Sequence, residues 1–167
     1  MDFAERKSLR LKEYDYGENG AYFVTVCSKE KRHIFGSLVG AGHPAGPHTQ
    51  LSDIGKIVDK NIRAISENYP DVFVDAYAVM PNHIHIVLRI DKPYSRAGQC
   101  PAPTVTLPKV MSALKSLCSR EAGKALWQRG YYEHVCRNYP DYIACCRYVL
   151  DNPAKWAEDE YYKPTKP

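Results

Sequence analysis

The sequence predicts an α+β domain in which helices pack on one antiparallel β-sheet. The chain has 167 residues, which is the size of one domain rather than two. Hydrophobic residues make up 44% and charged residues 25%, as in ordinary globular proteins, so a disordered chain or a fibre is excluded. Short apolar runs with strand periodicity also alternate with stretches at helical spacing. Together these observations indicate a mixed fold with a single core.

The first half of the chain predicts a strand, a loop and a helix. The aromatic and β-branched run 21–27 is typical of a strand. Residues 40–50 begin with glycines and prolines, which favours an irregular loop. Apolar residues then recur at helical spacing up to about Asn68 and predict an amphipathic helix: Leu51, Ile54, Val58, Ile62 and Ile65.

A hairpin of two strands follows, over 73–80 and 83–90, joined across Pro81 and Asn82. Because strand side chains alternate, the second strand has an isoleucine-rich face and an opposite face that carries His83 and His85. We expect the isoleucine face to pack under helices. The histidine face would then look away from that layer and be free to act on a ligand.

The second half of the chain predicts two helices with a strand between them. After an irregular loop at 92–105, Thr106 and Pro108 favour a helix start, with Val110, Leu114 and Leu117 facing inward. Residues 131–137 are compatible with a fourth strand. A last helix over about 140–151 would be stopped by Asn152 and Pro153. This order of elements is that of a ferredoxin-like or RRM-like domain.

The charge of the chain is concentrated in one segment. The net charge is +4, and residues 107–129 hold five cations, Lys109, Lys115, Arg120, Lys124 and Arg129, against Glu121 alone. Such a stripe indicates phosphate binding, although an ordinary solvated helix face is the alternative. Without a long apolar segment or a signal peptide, we expect an intracellular protein with no membrane contact. Six cysteines without a CxxC pair favour reduced thiols over a zinc ribbon.

Two groups of residues are candidates for chemistry. His83 and His85 alternate along a strand, so both imidazoles can reach one divalent metal ion, although so short a pattern also arises by chance and two ligands are too few for a catalytic site. Tyr148 and Asn152 are four apart and share a face of the last helix, away from Ile143, Cys146 and Leu150. A structural tyrosine and an ordinary helix stop are the alternatives.

Three segments of the chain resemble a known family. Residues 80–87 (MPNHIHIV) are similar to the HUH segment of the single-tyrosine HUH transposases. Residues 126–138 (LWQRGYYEHVCRN) and 148–156 (YVLDNPAKW) are similar to segments of the branch that is associated with REP sequences. The resemblance extends in order over about residues 22–162. It implies one HUH transposase-like domain over 1–167, with a core at 21–162.

The resemblance also implies a mechanism. His83 and His85 would bind Mg²⁺ or Mn²⁺, and Asn152 stands where the family presents a third ligand, often glutamine. Tyr148 would attack a phosphate of single-stranded, hairpin-forming DNA, leaving a 5′-phosphotyrosine and a free 3′-hydroxyl. We expect DNA phosphates to be bound by four cations, Lys115, Arg120, Lys124 and Arg129. Exchange of the catalytic helix in a homodimer, and a cytoplasmic location on the nucleoid, are further expectations.

Two other functions are compatible with the same residues. A domesticated protein could hold hairpin DNA or RNA on the same surface without cleaving it. A metal phosphoesterase could use water instead of Tyr148, although such enzymes usually carry a second His-x-Ser/Thr motif, which is missing from this sequence. Replacing Tyr148 with phenylalanine separates the last alternative from a tyrosine enzyme.

Overall fold

The computed structural model describes residue 15 and residues 18–40, 46–93 and 105–162. Within these residues, a four-stranded antiparallel sheet has the order β4–β5–β1–β6, and β2 and β3 form a separate hairpin. The strands are β1 (Gly20–Cys27), β2 (Gly36–Val39), β3 (His48–Leu51), β4 (Val72–Val79), β5 (His83–Ile90) and β6 (Tyr132–Cys136). The helices are α1 (Asp53–Arg63), α2 (Ile65–Asn68), α3 (Leu107–Glu121) and α4 (Tyr139–Asp151), and a 3-10 helix (Asn152–Glu158) follows α4 directly.

One face of the sheet packs under α1 and α3, as predicted. Ile84, Ile86 and Leu88 of β5 are fully buried there, in one core with apolar residues of both helices. The side chain of Thr106 caps α3 by accepting a hydrogen bond from the backbone N–H of Lys109. The predicted α+β fold class is therefore confirmed. The antiparallel sheet and the layer of helices on its isoleucine face are those that the apolar periodicity predicts.

The opposite face is covered as well, which the sequence did not predict. Val149 of α4 and Trp156 of the 3-10 helix pack with Met80 and Val87 in a second, smaller core. His83 and His85 lie on this face, away from the layer of α1 and α3 as predicted, but they are buried by the C-terminal segment and not left open. The apolar side chains of the C-terminal segment cover this face because they too must be removed from water.

Several predicted boundaries change. Leu51 is the last residue of β3 and not the first apolar residue of a helix, and the side chain of Ser52 caps α1. The last residues of the predicted loop 40–50 therefore belong to β3. Residues 41–45 of that loop lie outside the described part. Residues 94–104 of the predicted loop 92–105 lie outside it too. α4 ends at Asp151, as predicted, but a 3-10 helix begins directly at Asn152, because a proline is compatible with the first turn of a helix. Leu150 is 67% exposed, and Val149 is the buried residue of that turn.

Candidate active site

Two imidazoles meet at the start of β5. The Nε2 atoms of His83 and His85 lie 2.9 Å apart, and both rings are buried. Nδ1 of His83 lies 2.8 Å from the side-chain oxygen of Asn82, which can only accept, so Nδ1 carries the proton. Nε2 of neutral His83 then presents a lone pair to the site. Thr25 of β1 lies 2.8 Å from Nδ1 of His85 and orients that ring from the other side.

His83 is held in its neutral form. Burial disfavours the charged imidazole and the neighbouring His85 opposes it further, so the pKa of His83 lies far below its ordinary value of 6.5. Asp159 acts in the opposite direction but does not compensate. A neutral imidazole with a free lone pair is the form that binds a metal ion.

This burial predicts a pH dependence of stability in the metal-free protein. His83 takes up a proton near pH 6.5 when unfolded but not when folded, so the free energy of unfolding should fall by up to about 1.4 kcal/mol per pH unit below that value. Urea unfolding in a chelator from about pH 7 to about pH 5 measures this slope. The His83→Gln variant should show a shallower slope, and an equal slope in both proteins would disprove the assignment.

Asp159 provides a third donor that the sequence analysis missed. Its Oδ2 atom lies 3.8 Å from Nε2 of His83 and 3.7 Å from Nε2 of His85. Burial opposes ionisation of this carboxyl group, but the neighbouring His85 and hydrogen bonds from the Asn152 side chain and the backbone N–H of Tyr161 outweigh it and hold its pKa below the ordinary range. The two histidines and the carboxylate thus form a compact N₂O donor set of the kind that holds a divalent metal ion.

Asn152, the third ligand implied by the resemblance, lies beside this set. Its side-chain nitrogen donates to Oδ2 of Asp159 over 2.7 Å. Its side-chain oxygen is buried and has no hydrogen-bond partner among the described residues. An orphaned buried oxygen is unfavourable by about 1–3 kcal/mol unless a ligand satisfies it. This unsatisfied oxygen fits a bound cation at the site.

Tyr148 lies over the histidines from α4. Its ring centroid is 5.3 Å from that of His85 and 5.7 Å from that of Phe23, and 43% of the residue is exposed. Asp159, Glu160 and Asn152 are the polar neighbours that act on its hydroxyl group. Burial and then the negative charges of Asp159 and Glu160 raise the pKa of Tyr148 to about 12. The phenol is therefore protonated at neutral pH in the metal-free protein.

Tyr148 borders a groove of about 360 Å³ between α4 and the β1–β6 edge of the sheet. The aromatic rings of Phe23 and Tyr132 line it, together with His85 and His134. Tyr132 is 48% exposed. The site is thus buried on its metal-binding side and open to a ligand on the side of Tyr148.

The four predicted DNA-binding cations divide into two groups. Lys115 is engaged, because its ammonium group donates to the backbone oxygens of Gln128 and Gly130 over 2.8 and 2.9 Å, and burial lowers its pKa. Arg120, Lys124 and Arg129 are exposed. α3 packs on the isoleucine face, opposite to Tyr148. Arg129 lies nearer the site. The backbone N–H of the preceding Gln128 donates to the backbone oxygen of Cys27 over 3.0 Å, and Cys27 pairs with His83 at the end of β1.

Two proteins of Haemophilus influenzae are similar to the chain in sequence. One is an uncharacterized protein, 31% identical over 173 residues that cover 94% of this chain and 93% of that protein. The other is named as a candidate REP-associated tyrosine transposase and is 23% identical over 154 residues, covering 89% of this chain and 78% of that protein. A solved structure of a REP-associated tyrosine transposase bound to a REP hairpin has the same fold, with a TM-score of 0.61 and 19% identity over 90% of this chain and 77% of that chain.

These similarities agree with the resemblance of the three sequence segments to the REP-associated tyrosine transposases. No protein-family model matches it. The three segments that resemble this transposase family converge in the fold, since they supply β5, β6 and the junction of α4 with the 3-10 helix. Among the described residues, no helix of this transposase-like domain is long and apolar enough to cross a membrane.

Proposed function

We propose that the protein nicks and transfers single-stranded DNA at hairpin-forming repeats, with Tyr148 as the nucleophile and a divalent metal ion as cofactor. The hydroxyl of Tyr148 beside the buried group of His83, His85 and Asp159 carries this proposal. A phenol that contacts a metal-binding group and opens onto a groove is suited to attack a phosphate. The sequence similarity to a candidate REP-associated tyrosine transposase, and the REP hairpin bound by the structural relative, support DNA as the substrate.

His83, His85 and Asp159 would hold the metal ion, and Asn152 would complete the set with its unpartnered oxygen. A bound Mg²⁺ or Mn²⁺ would neutralise charge on the scissile phosphate and on the phenolate. The protein contributes the neutral His83, the ionised Asp159 and the fixed orientation of both rings by Asn82 and Thr25. These contacts preorganise the donors before any ligand arrives.

Tyr148 would carry the covalent step. Its hydroxyl oxygen forms a bond to phosphorus while the bond from phosphorus to the 3′-oxygen breaks. The hydroxyl proton passes to water in the groove, and the leaving 3′-oxygen takes up a proton from water to become a free hydroxyl. The product is a 5′-phosphotyrosine. Because the ester keeps the phosphodiester bond energy, a 3′-hydroxyl can attack it and rejoin or transfer the strand.

A labelled-hairpin assay tests this function. Single-stranded DNA with a hairpin and a flanking single strand is labelled at either end and incubated with the protein and Mn²⁺, or with a chelator. We expect metal-dependent cleavage in which the 3′-labelled fragment remains on the protein in a denaturing gel and the 5′-labelled fragment is released. Cleavage with both fragments free would indicate a water-using phosphoesterase, and binding without cleavage would indicate a hairpin-binding protein.

The exposed cations should contribute to DNA affinity through phosphates. Alanine at Lys124 or Arg129 should weaken hairpin binding and reduce the slope of log affinity against log salt by about 1 or less for each phosphate that is no longer neutralised. Anisotropy titrations at several salt concentrations measure the slope, with the exposed Lys56 of α1 as the control. An unchanged slope in all variants would rule out phosphate binding by these cations. Lys115→Ala should instead destabilise the fold, because two backbone oxygens lose their donor.

We infer that the reaction takes place within one chain, because Tyr148 contacts the histidines of its own chain. A mixture of the Tyr148→Phe variant with the His83→Ala/His85→Ala variant should therefore stay inactive. Activity restored by mixing would show that two copies exchange α4 in a homodimer. Light scattering of each protein and of the mixture reports the oligomeric state in the same samples.

A further inference from the structure

A second cluster of metal-ligating side chains lies between β6 and α4. Nε2 of His134 is 3.0 Å from both carboxylate oxygens of Asp141. One ligand atom each of His134, Asp141 and Cys145 lie within 4.8 Å of one another. Cys136 lies near this group, because burial and then the neighbouring Cys145 raise the pKa of its thiol. None of these four residues belongs to the group of His83, His85 and Asp159.

The fold brings these donors together from two elements. His134 and Cys136 alternate along β6, so their side chains lie on the same face of the sheet. Asp141 and Cys145 are four apart on α4, so they lie one turn apart on one face of that helix. Because α4 packs on β6, the side chains of His134 and Cys136 on the strand lie close to those of Asp141 and Cys145 on the helix.

A hydrogen bond between His134 and Asp141 accounts for only part of this arrangement. It leaves the half-buried thiol of Cys145 beside the imidazole and the carboxylate, with the half-buried Cys136 nearby. Imidazole nitrogen, thiolate sulfur and carboxylate oxygen are the three donor types that Zn²⁺ takes in tetrahedral sites.

We propose that His134, Asp141 and Cys145 form a second divalent-metal site of the zinc type, with Cys136 as the fourth ligand. An ion there would cross-link β6 to the first turns of α4. Cys145 precedes Tyr148 by three residues on the same helix. The site would thus fix the helix that carries Tyr148, and it requires no assumption about the reaction of Tyr148.

Cobalt substitution tests this site by a readout other than activity. The full-length protein is reduced with a phosphine and titrated with Co²⁺ in a His83→Ala/His85→Ala background, which removes the first site. We expect one equivalent of Co²⁺ to bind with a thiolate-to-cobalt absorption band in the near ultraviolet. Adding Cys145→Ser should remove the band and weaken binding at least about tenfold, and His134→Gln should weaken binding similarly. Cys146→Ser, at the adjacent thiol, should leave the band unchanged.

Two results would overturn the proposal. One is a folded protein that gives no thiolate band, and the other is a band that survives both Cys145→Ser and His134→Gln. Circular dichroism of each variant reports whether it is folded. As a second measurement, Zn²⁺ should raise the melting temperature of the His83→Ala/His85→Ala protein but not that of the same protein with His134→Gln; equal shifts in both would count against the site.

Discussion

Replacing Tyr148 with phenylalanine is expected to abolish the covalent protein–DNA adduct and to lower strand cleavage by on the order of 10³-fold or more. The substitution removes one oxygen atom and leaves the ring, which packs on His85 and Phe23. Hairpin binding and metal binding should therefore change little. The rate of adduct formation on labelled hairpin DNA at saturating Mn²⁺ measures the effect.

Tyr139 offers a matched control for this substitution. It lies on the same helix and is 73% exposed, so Tyr139→Phe removes the same atom away from the histidines. That variant should keep the adduct rate of the unmodified protein. If Tyr148→Phe kept its cleavage activity, water or another residue would be the nucleophile, and the proposed covalent mechanism would be wrong.

Removal of the Asp159 carboxylate should have the second largest effect. Asp159→Ala takes away the carboxylate that lies beside the two imidazoles, and with it the negative charge that acts on the Tyr148 hydroxyl. We expect Mn²⁺ affinity to fall by about 100-fold or more, and adduct formation to fall with it even at high DNA concentration. Calorimetric titration with Mn²⁺ measures the affinity without any need for turnover.

Two comparisons make this prediction specific. Asn152→Ala should weaken Mn²⁺ binding by about 10-fold, which is less than Asp159→Ala. It removes an uncharged oxygen ligand and the side-chain N–H that donates a hydrogen bond to Asp159. Asp151→Ala removes an exposed carboxylate from the preceding position and should leave Mn²⁺ affinity unchanged. If Asp159→Ala bound Mn²⁺ normally while His83→Ala did not, Asp159 would not be a ligand.

The sequence predicts those parts of the site that depend on local spacing. The alternation of His83 and His85 along a strand is a local property, and so is the face that Tyr148 shares with Asn152 on a helix. The main sheet and its isoleucine-rich core also follow from short-range periodicity, because each apolar stripe needs a layer to cover it.

Asp159 could not be found in this way. It reaches the histidines only because the 3-10 helix returns the chain beneath β5, where Trp156 is buried in the second core. This packing also covers the histidine face of the sheet. It could not be predicted from the sequence, because a seven-residue 3-10 helix is too short to show a periodic apolar pattern. A proline after Asn152 indicates a helix stop by local rules, whereas the tertiary contacts of Trp156 favour a continued turn. The role of Lys115 likewise depends on two backbone oxygens that come near only in the fold.

Mass spectrometry of the trapped adduct tests the central claim most directly. The protein is incubated with hairpin DNA and Mn²⁺, then digested with nuclease and with trypsin, which cuts after Arg147 and Lys155. The resulting peptide 148–155 contains Tyr148 and no other tyrosine. Our account predicts a nucleotide joined through phosphate to this peptide, formed only with metal and absent from Tyr148→Phe. A nucleotide on a different peptide, or DNA cleaved with no modified peptide, would contradict it.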